Sequence, residues 1–180
     1  VLGDPGWASS NVRMGGAKDA FVKGLPGVKV NVVLDGVMGS TIEKATNAIE
    51  SALQQNPDIN LFYGNSDEMG IGACIAAKKL GRTVNKDVWC ISIDGNPVTL
   101  DLIEKGDITA TLGVYPTLMG ATVIDQMAKA LKGEKVPYIL ETPSIVVDKT
   151  NLADYRSGST WTEPLEGSPE LDNSKPTGEQ

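Results

Sequence analysis

The segment FYGNSDEMGIG, residues 62–72, places a polar loop between an apolar run and a helix whose first turn is acidic. Upstream, residues 56–62 (NPDINLF) show a turn followed by apolar residues, which is typical of a short strand. Downstream, residues 69–81 have apolar and small residues at helical spacing, lysines in the last turn and a closing glycine, as expected where a helix ends. The segment therefore predicts a strand that gives way to a helix, with Asn65 and Ser66 at the junction.

The same alternation of strand and helix continues along the chain. Predicted strands cover residues 28–34, 59–63, 88–93 and 108–114, and predicted helices cover residues 12–25, 41–55, 68–80, 98–106 and 117–133. Residues 137–155 could hold one or two more strands. Short loops between alternating elements predict right-handed crossovers. The predicted fold class is therefore α/β, with an open parallel sheet covered by helices on both faces.

The predicted strand ends are the places where this fold binds ligands. At the carboxyl edge of a parallel sheet the strand ends leave a crevice, and each following helix offers free N–H groups. Asn65 and Ser66 lie at this edge, where they could contact a ligand or cap the following helix. Asp67 and Glu68 are predicted to interact with the helix dipole rather than with a ligand.

Composition and charge exclude several classes of function. The 180-residue chain has the length of one ordinary domain, and its net charge of −7 argues against nucleic-acid binding, which needs clustered Lys and Arg. No apolar stretch approaches the roughly 20 residues of a membrane span. No signal peptide is recognised, so we expect a mature or truncated form, and secretion stays open.

Catalysis is not predicted. Histidine is absent, which removes the commonest general acid or base and the commonest metal ligand. The possible nucleophiles are Ser9, Ser10, Cys74 and Cys90, and nucleophilic catalysis needs an adjacent base. Neither a GxSxG elbow nor a GxxxxGK[ST] phosphate loop occurs. No catalytic residue, cofactor or metal is predicted.

The two cysteines, Cys74 and Cys90, are 16 residues apart, on a predicted helix and on the strand after it. Two buried thiols are the favoured interpretation, because both positions have the character of a core. A disulfide that joins helix to strand is the alternative in an oxidising compartment.

The composition changes after residue 155. Residues 156–180 are rich in Ser, Pro, Gly, Glu and Thr and contain little that could be buried. This composition predicts a loose or surface-draped polar tail, so the folded domain is placed at residues 1–155.

Five segments, in this order, resemble the second half of the type I periplasmic binding proteins, the ribose- and galactose-type solute receptors of ABC importers. They are SDEMGIGA, VWCISIDGNP, LIEKGDITATLGVYPTLMG, ALKGEKVP and TPSIVVDKTNLADY. The same fold is similar to the effector domains of lac-repressor-type regulators. The resemblance covers about residues 1–155. It implies two α/β lobes that close on a small polar ligand, usually a sugar, and then dock on a membrane permease, in a periplasmic or extracellular location.

Against this pattern, the chain begins where the second lobe would begin. The resemblance therefore implies that another chain supplies the first lobe, that two copies pair, or that the chain is truncated. Helix 117–133 would pack on the first lobe, and residues 117–136 are assigned to that contact. Its apolar stripe is expected to be exposed unless something covers it. The stripe comprises Leu118, Ala121, Ile124, Met127, Ala128 and Leu131.

The resemblance also implies ligand contacts, position by position. Asp94 in SIDG matches an aspartate that accepts hydrogen bonds from sugar hydroxyls, which an ionised acceptor does well. Capping of the following helix is its alternative role. Ser66 stands where sugar binders often have asparagine, with Asn65 beside it. Arg13 lies close to the place of an arginine that binds ring oxygen or hydroxyls; it matches the first of two such arginines, whereas Gly15 falls on the one that touches the sugar.

Further contacts are implied by loops that face the cleft in this family. Trp7 could stack on the apolar face of a sugar, with core packing as the alternative. Met38 and Ser40 occupy a loop where the family often has an aromatic residue. Val114 replaces a frequent glutamine, and the neighbouring Tyr115 could compensate. These departures predict a polar, sugar-like ligand other than an ordinary aldopentose or hexose.

The predicted function is that of a solute-binding protein, or its C-terminal lobe, in an ABC-type importer. Hinge closure would then convert ligand binding into a shape that the permease recognises. The alternative is a ligand-sensing domain of a receptor or of a lac-repressor-type regulator. A hydrolase or other α/β enzyme is disfavoured because a base and the catalytic motifs are missing.

Overall fold

Strands and helices alternate through the part of the chain that the computed structural model describes, which is residues 2–3, 8–27, 34–35, 41–161 and 165–166. The elements are β1 (Leu2–Gly3), α1 (Ala8–Gly24), β2 (Leu34–Asp35), α2 (Ile42–Gln55), β3 (Leu61–Tyr63), α3 (Asp67–Lys79), β4 (Trp89–Asp94), α4 (Pro97–Lys105), β5 (Ala110–Val114), α5 (Pro116–Leu131), β6 (Leu140–Glu141), β7 (Ser144–Val147), α6 (Leu152–Ser157) and β8 (Leu165–Glu166). This order confirms the predicted α/β class.

The central sheet has the strand order β3-β4-β5-β7. β3, β4 and β5 are parallel, as predicted. The outermost strand, β7, is antiparallel to β5, so the prediction of a purely parallel sheet was wrong for this strand. The register explains the difference. Ser144, at the start of β7, pairs with Val114, at the end of β5. The chain therefore leaves β5 and enters β7 at the carboxyl end of the parallel strands. The connection through α5 is for this reason not a crossover.

Helix α1 begins earlier than the sequence predicts. It runs from Ala8, so Ser9 and Ser10 lie in its first turn and not in a loop. Helix α2 begins where expected, because the Thr41 hydroxyl accepts a hydrogen bond from the backbone N–H of Lys44 at 3.2 Å and caps the helix.

Helix α3 lies between α2 and the sheet, and its small residues make this close approach possible. A Cβ on Gly70 would lie 2.6 Å from the Cβ of Ser92 on β4, and a Cβ on Gly72 would lie 2.6 Å from the Cβ of Ala45 on α2. Ala73, Ala76 and Ala77 of the same helix are fully buried, as is Met69. The backbone of α3 therefore packs directly against both neighbouring elements.

This proximity joins the two cysteines. Cys74 on α3 and Cys90 on β4 form a disulfide, with their Cα atoms 6.1 Å apart, within the usual range for such bonds. The favoured prediction of two buried thiols was wrong, and the alternative disulfide is correct. The bond links the helix and the strand that both lead to the carboxyl edge of the sheet.

The folded part of the chain continues past residue 155, where the sequence predicts a tail. Arg156 forms ion pairs with Asp101 at 2.6 Å and with Glu104 at 2.8 Å, both on α4. The Trp161 ring packs edge-on against Tyr115, with ring centroids 5.7 Å apart. Strand β8 pairs with β6. The start of the predicted tail was therefore placed too early, because a salt bridge and an aromatic contact hold this segment.

Helix α5 contains no buried residue, in contrast to the other long helices of the described region. Leu118 is partly buried against the core, whereas Val123, Ile124, Met127 and Leu131 are 57%, 64%, 56% and 88% exposed. None of the helices in the described ranges is both long and apolar enough to cross a membrane.

Two glycine substitutions test the packing of α3. Gly72→Ala should lower the free energy of unfolding by about 1–3 kcal/mol, because the added methyl group must displace backbone atoms of α2. Gly16→Ala on α1 is the matched control, since nothing lies within 4 Å of its Cβ position. There the same change should raise the free energy of unfolding by about 0.5–1 kcal/mol. Urea unfolding measures both, and equal effects in the two variants would contradict the packing argument.

Candidate functional site

Three predicted site residues meet at the carboxyl edge of the sheet. Asn65 follows β3 and Asp94 ends β4, while Arg13 approaches from α1. The Arg13 guanidinium lies 3.6 Å from a carboxylate oxygen of Asp94 and donates a hydrogen bond to the backbone carbonyl of Asn65 at 3.1 Å. A cation, a carboxylate and an amide, separated by 52 and 29 residues in the chain, are thereby brought together.

Two side-chain oxygens at this edge have no hydrogen-bond partner among the described residues. Asn65 donates through its amide nitrogen to the Ser10 hydroxyl at 2.6 Å, but its Oδ1 is buried and unpaired. Ser66 precedes α3, yet its side chain makes no capping bond, and its buried Oγ is also unpaired. Ser66 thus occupies the N-cap position of α3 with an extended backbone, but its side chain does not supply the capping bond. Because buried polar atoms are almost always hydrogen-bonded, these two oxygens are candidates for contact with a ligand.

Asp94 has an unusual backbone conformation. Its φ is +131°, a region that residues other than glycine rarely adopt, and such a conformation costs about 1–3 kcal/mol unless the surroundings impose it. Asp94 pairs with Gly113 of β5, while Asn96 occupies the N-cap position of α4. The alternative role of Asp94 as the helix cap is therefore wrong. Its side chain is 29% exposed at the sheet edge.

The electrostatic environment of Asp94 combines burial with nearby charges. Partial burial raises the pKa of this carboxyl above its ordinary value of 3.8, while Arg13 and the backbone N–H of Asp67 act in the opposite direction. Burial also raises the pKa of Tyr63 to about 12. The Tyr63 hydroxyl therefore stays protonated and donates to the backbone carbonyl of Arg13 at 3.3 Å, which fixes α1 against the sheet edge.

Asp67 is the residue that the sequence analysis missed. It was predicted to interact with the helix dipole, but its side chain is 1% exposed and accepts three hydrogen bonds. The donors are the Ser92 hydroxyl at 2.7 Å, the Thr111 hydroxyl at 2.7 Å and the backbone N–H of Asn96 at 2.6 Å. The available signal was a polar residue within each of two apolar strands. These residues are Ser92 in CISI and Thr111 in ATL.

The structure does not bring Tyr115 into this cluster. The residue is 3% exposed, its ring packs against Tyr155 and Trp161, and its hydroxyl lies 2.6 Å from that of Thr160. The prediction that Tyr115 compensates for a missing ligand contact is therefore replaced by a packing role, because its hydroxyl is already engaged. Trp7, Met38 and Ser40 lie outside the described residues, so their roles stay predictions.

The cluster has the chemistry to bind a neutral polar molecule. Its carboxylate accepts hydrogen bonds, its guanidinium donates them, and the unpaired oxygens of Asn65 and Ser66 can accept more. The charges of Arg13 and Asp94 balance one another. Within the described ranges, no group of His, Cys, Asp and Glu side chains has an arrangement that could hold a metal ion.

Comparison with known proteins identifies the class. The family model of the periplasmic binding protein domain matches residues 1–135, and the chain belongs to this family. It is similar to the D-allose-binding periplasmic protein of Escherichia coli K12, with 32% identity over 136 residues, which are 76% of this chain and 42% of that protein. It is also similar to the ribose import binding protein of Salmonella typhimurium, with 29% identity over 118 residues, or 66% of this chain and 39% of that protein. The chain thus spans less than half the length of these relatives.

Solved structures support the same fold. An ABC transporter periplasmic solute-binding protein from Actinobacillus succinogenes, with bound D-allose, matches with a TM-score of 0.79 and 28% identity over 86% of this chain and 53% of that one. A solute-binding protein from Bacillus halodurans, with bound myo-inositol, matches with a TM-score of 0.73 and 26% identity over 87% and 53%. The resemblance to type I periplasmic binding proteins is confirmed.

The raised pKa of Asp94 predicts a dependence of stability on pH. A carboxyl group with a higher pKa in the folded than in the unfolded chain loses stabilisation as the pH rises through that folded pKa. Asp94→Asn removes the ionisation, so the variant should be more stable than the wild type at neutral pH. The gain should be about 0.3 kcal/mol, because the charge is partly exposed. This gain should vanish as the pH falls well below 3.8, where the wild-type carboxyl is protonated in both states.

Urea unfolding at a series of pH values measures the difference between Asp94→Asn and the wild type. Asp58→Asn, in the exposed loop before β3, is the matched control. An Asp94→Asn variant that is less stable than the wild type at neutral pH would show that the attraction to Arg13 outweighs the cost of burying the carboxylate.

Proposed function

We propose that this chain is the C-terminal lobe of a solute-binding protein of an ABC-type importer, and that it binds a small polar, sugar-like ligand in a cleft between two lobes. The observation that carries the proposal is the cluster of Arg13, Asn65, Ser66 and Asp94 at the carboxyl edge of the sheet, with two buried oxygens that lack partners among the described residues. Relatives whose names state that they bind D-allose or ribose support a sugar.

The charge balance of the cluster supports an uncharged ligand. Arg13 and Asp94 neutralise each other, so a carboxylate or an ammonium group on the ligand would leave one charge without a partner at a half-buried site. A polyhydroxylated molecule can instead donate to Asp94 and accept from Arg13 with neighbouring hydroxyls. The disulfide between Cys74 and Cys90 supports an oxidising location, such as the periplasm or the cell exterior.

The exposed face of α5 supports a missing first lobe as the partner. Its exposed apolar residues, among them Ile124, Met127 and Leu131, are not covered by other parts of the described region. The chain also spans only 53% of each of two solved relatives. We propose that residues 117–136 pack on the other lobe, and that the closed protein docks on a membrane permease. Ligand binding without catalysis is the activity we propose, since the relatives are named as binding proteins.

Ligand binding should depend on Asp94. In a protein that carries both lobes, a sugar at about 100 times its Kd should raise the free energy of unfolding by about 2.7 kcal/mol. Asp94→Ala should weaken binding by about tenfold or more, because a charged acceptor is lost and Arg13 is left without its partner. Thermal-shift assays with D-allose, D-ribose and myo-inositol measure this effect. They also test the expectation from the sequence that the ligand is not an ordinary aldopentose or hexose.

Asp58→Ala is the control, since it removes a carboxylate from an exposed loop, and it should leave the ligand response unchanged. A two-lobe protein that gives no shift with sugars, polyols or small acids would contradict the proposed function. So would turnover of any of these compounds.

Contact between α5 and the first lobe should depend on Ile124, which is 64% exposed. Ile124→Glu should change the stability of this chain alone by about 0.5 kcal/mol or less, because the side chain contributes little to its core. The same variant should prevent association with a separately produced first lobe, since a buried unpaired carboxylate is costly. Lys129→Glu places the same residue at an exposed position of α5 outside the apolar stripe and should associate normally. Equal association of both variants would argue against this face.

A further inference from the structure

We propose that Asp67 is a positioning residue for the ligand-binding cluster, and that it does so by holding the turn Asp94–Gly95–Asn96 through the backbone N–H of Asn96. The inference rests on the proposed function, because it assigns Asp94 to ligand contact. The Asp67 side chain is buried, and only its backbone N–H faces the Asp94 carboxylate. It would act on ligand affinity through the backbone that carries Asp94.

The two oxygens of the Asp67 carboxylate have different tasks. Oδ1 accepts hydrogen bonds from the hydroxyls of Ser92 on β4 and Thr111 on β5, and so connects the two strands. Oδ2 accepts the hydrogen bond from the backbone of Asn96, which follows β4 by two residues. Bonds to an ionised acceptor are short and strong. One oxygen therefore fixes the sheet and the other fixes the turn.

Asp94 lies between two fixed points. On its N-terminal side, the pairing of Ile93 with Leu112 and of Asp94 with Gly113 holds the strand in register. On its C-terminal side, the bond between Asn96 and Asp67 holds the end of the turn. A non-glycine residue keeps a φ of +131° when its flanks leave it no other path. Loss of the second point would allow the turn to relax and Asp94 to leave Arg13.

The geometry of Asn96 allows the contact to be removed with a single substitution. Its φ of −62° is one that proline adopts, and it already precedes Pro97 with a ψ of 147°. Its side chain is exposed and makes no capping bond. Asn96→Pro therefore removes the backbone N–H that donates a hydrogen bond to Asp67. Asn96→Ala keeps that N–H and serves as the matched control.

Thr111→Val supplies a second control. It removes a hydroxyl that donates to Oδ1 of Asp67 and leaves the hydrogen bond from Asn96 to Oδ2 in place. It separates the strand-side role of Asp67 from its role at the turn. A loss of stability in both Asn96→Pro and Thr111→Val would reflect the contribution of Asp67 to the fold. A change in the pKa of Asp94 that occurs only in Asn96→Pro would reflect its role in positioning Asp94.

The first readout needs no ligand. Carboxyl NMR titration of Asp94 in the 180-residue chain should show a pKa that falls towards 3.8 in Asn96→Pro. A relaxed turn hydrates the carboxylate and removes the largest cause of its raised pKa, which exceeds the opposite effect of losing Arg13. Asn96→Ala and Thr111→Val should keep the wild-type value. The groups that face Asp94 in this titration are Arg13, Asp67 and Glu68, and all three remain in every variant. An Asn96→Pro chain that folds and keeps the wild-type pKa overturns the proposal.

The second readout uses the unmodified chain, so it decides the matter even if Asn96→Pro does not fold. The amide hydrogen of Asn96 should exchange with solvent at least roughly 100-fold more slowly than that of Val98, which lies in the first turn of α4, where helix N–H groups lack intrahelical partners. Exchange of Asn96 as fast as Val98 overturns the proposal, because Asp67 then does not hold the turn.

The third readout connects the turn to binding. In a two-lobe protein, D-allose affinity should fall about tenfold or more in Asn96→Pro and less than about twofold in Asn96→Ala. Equal affinities in the two variants overturn the positioning role. A wild-type protein that does not bind D-allose counts against the proposed function with that sugar, while the titration and the exchange measurement still decide whether Asp67 positions Asp94.

Discussion

The carboxylate of Asp67 is the constraint on which the carboxyl edge of this lobe depends. A charge that is 1% exposed is tolerable because three donors from β4, β5 and the start of α4 converge on it. Removing one donor leaves a buried charge with fewer partners, which costs more than the average contribution of a hydrogen bond. The same residue begins α3. The relative positions of two strands and two helices are therefore fixed at one point, which lies directly beneath Asp94.

Helix α3 can bring Asp67 to this point because glycines stand where the helix most closely approaches β4 and α2. Gly70 allows contact with Ser92, which is itself one of the donors to Asp67, and Gly72 allows contact with α2. The disulfide between Cys74 and Cys90 joins the same helix to the same strand farther from the edge. A covalent bond and a buried carboxylate thus hold α3 and β4 together at separate places, so the edge that carries Asn65, Ser66 and Asp94 is pre-organised before a ligand arrives.

The sequence predicted this edge better than it predicted the contacts beneath it. The alternation of apolar runs and helical periods located β3, α3, β4, α4, β5 and α5 to within two or three residues, because those patterns report local burial. A strand was expected in the region of β7, but its antiparallel direction was missed, because strand direction depends on where the chain re-enters the sheet. The disulfide and the role of Asp67 depend on how closely α3 approaches β4, a distance that no local pattern encodes. Ser66 and Asp94 were assigned alternative capping roles by position. Ser66 is the N-cap residue of α3 but makes no side-chain capping bond, and Asn96 rather than Asp94 is the N-cap residue of α4.

Under the proposed function, a site on one lobe limits how closure could be driven. A ligand shifts a conformational equilibrium only by the difference between its interactions with the two states. The contacts offered by Arg13, Asn65, Ser66 and Asp94 all come from this chain, so they do not require a second lobe to be near. These residues would therefore set affinity and orientation in both forms. The preference for a closed form would have to come from groups that reach the ligand from the opposite lobe. Desolvation of the Asp94 carboxylate, whose side chain is 29% exposed, would also change when that lobe approaches.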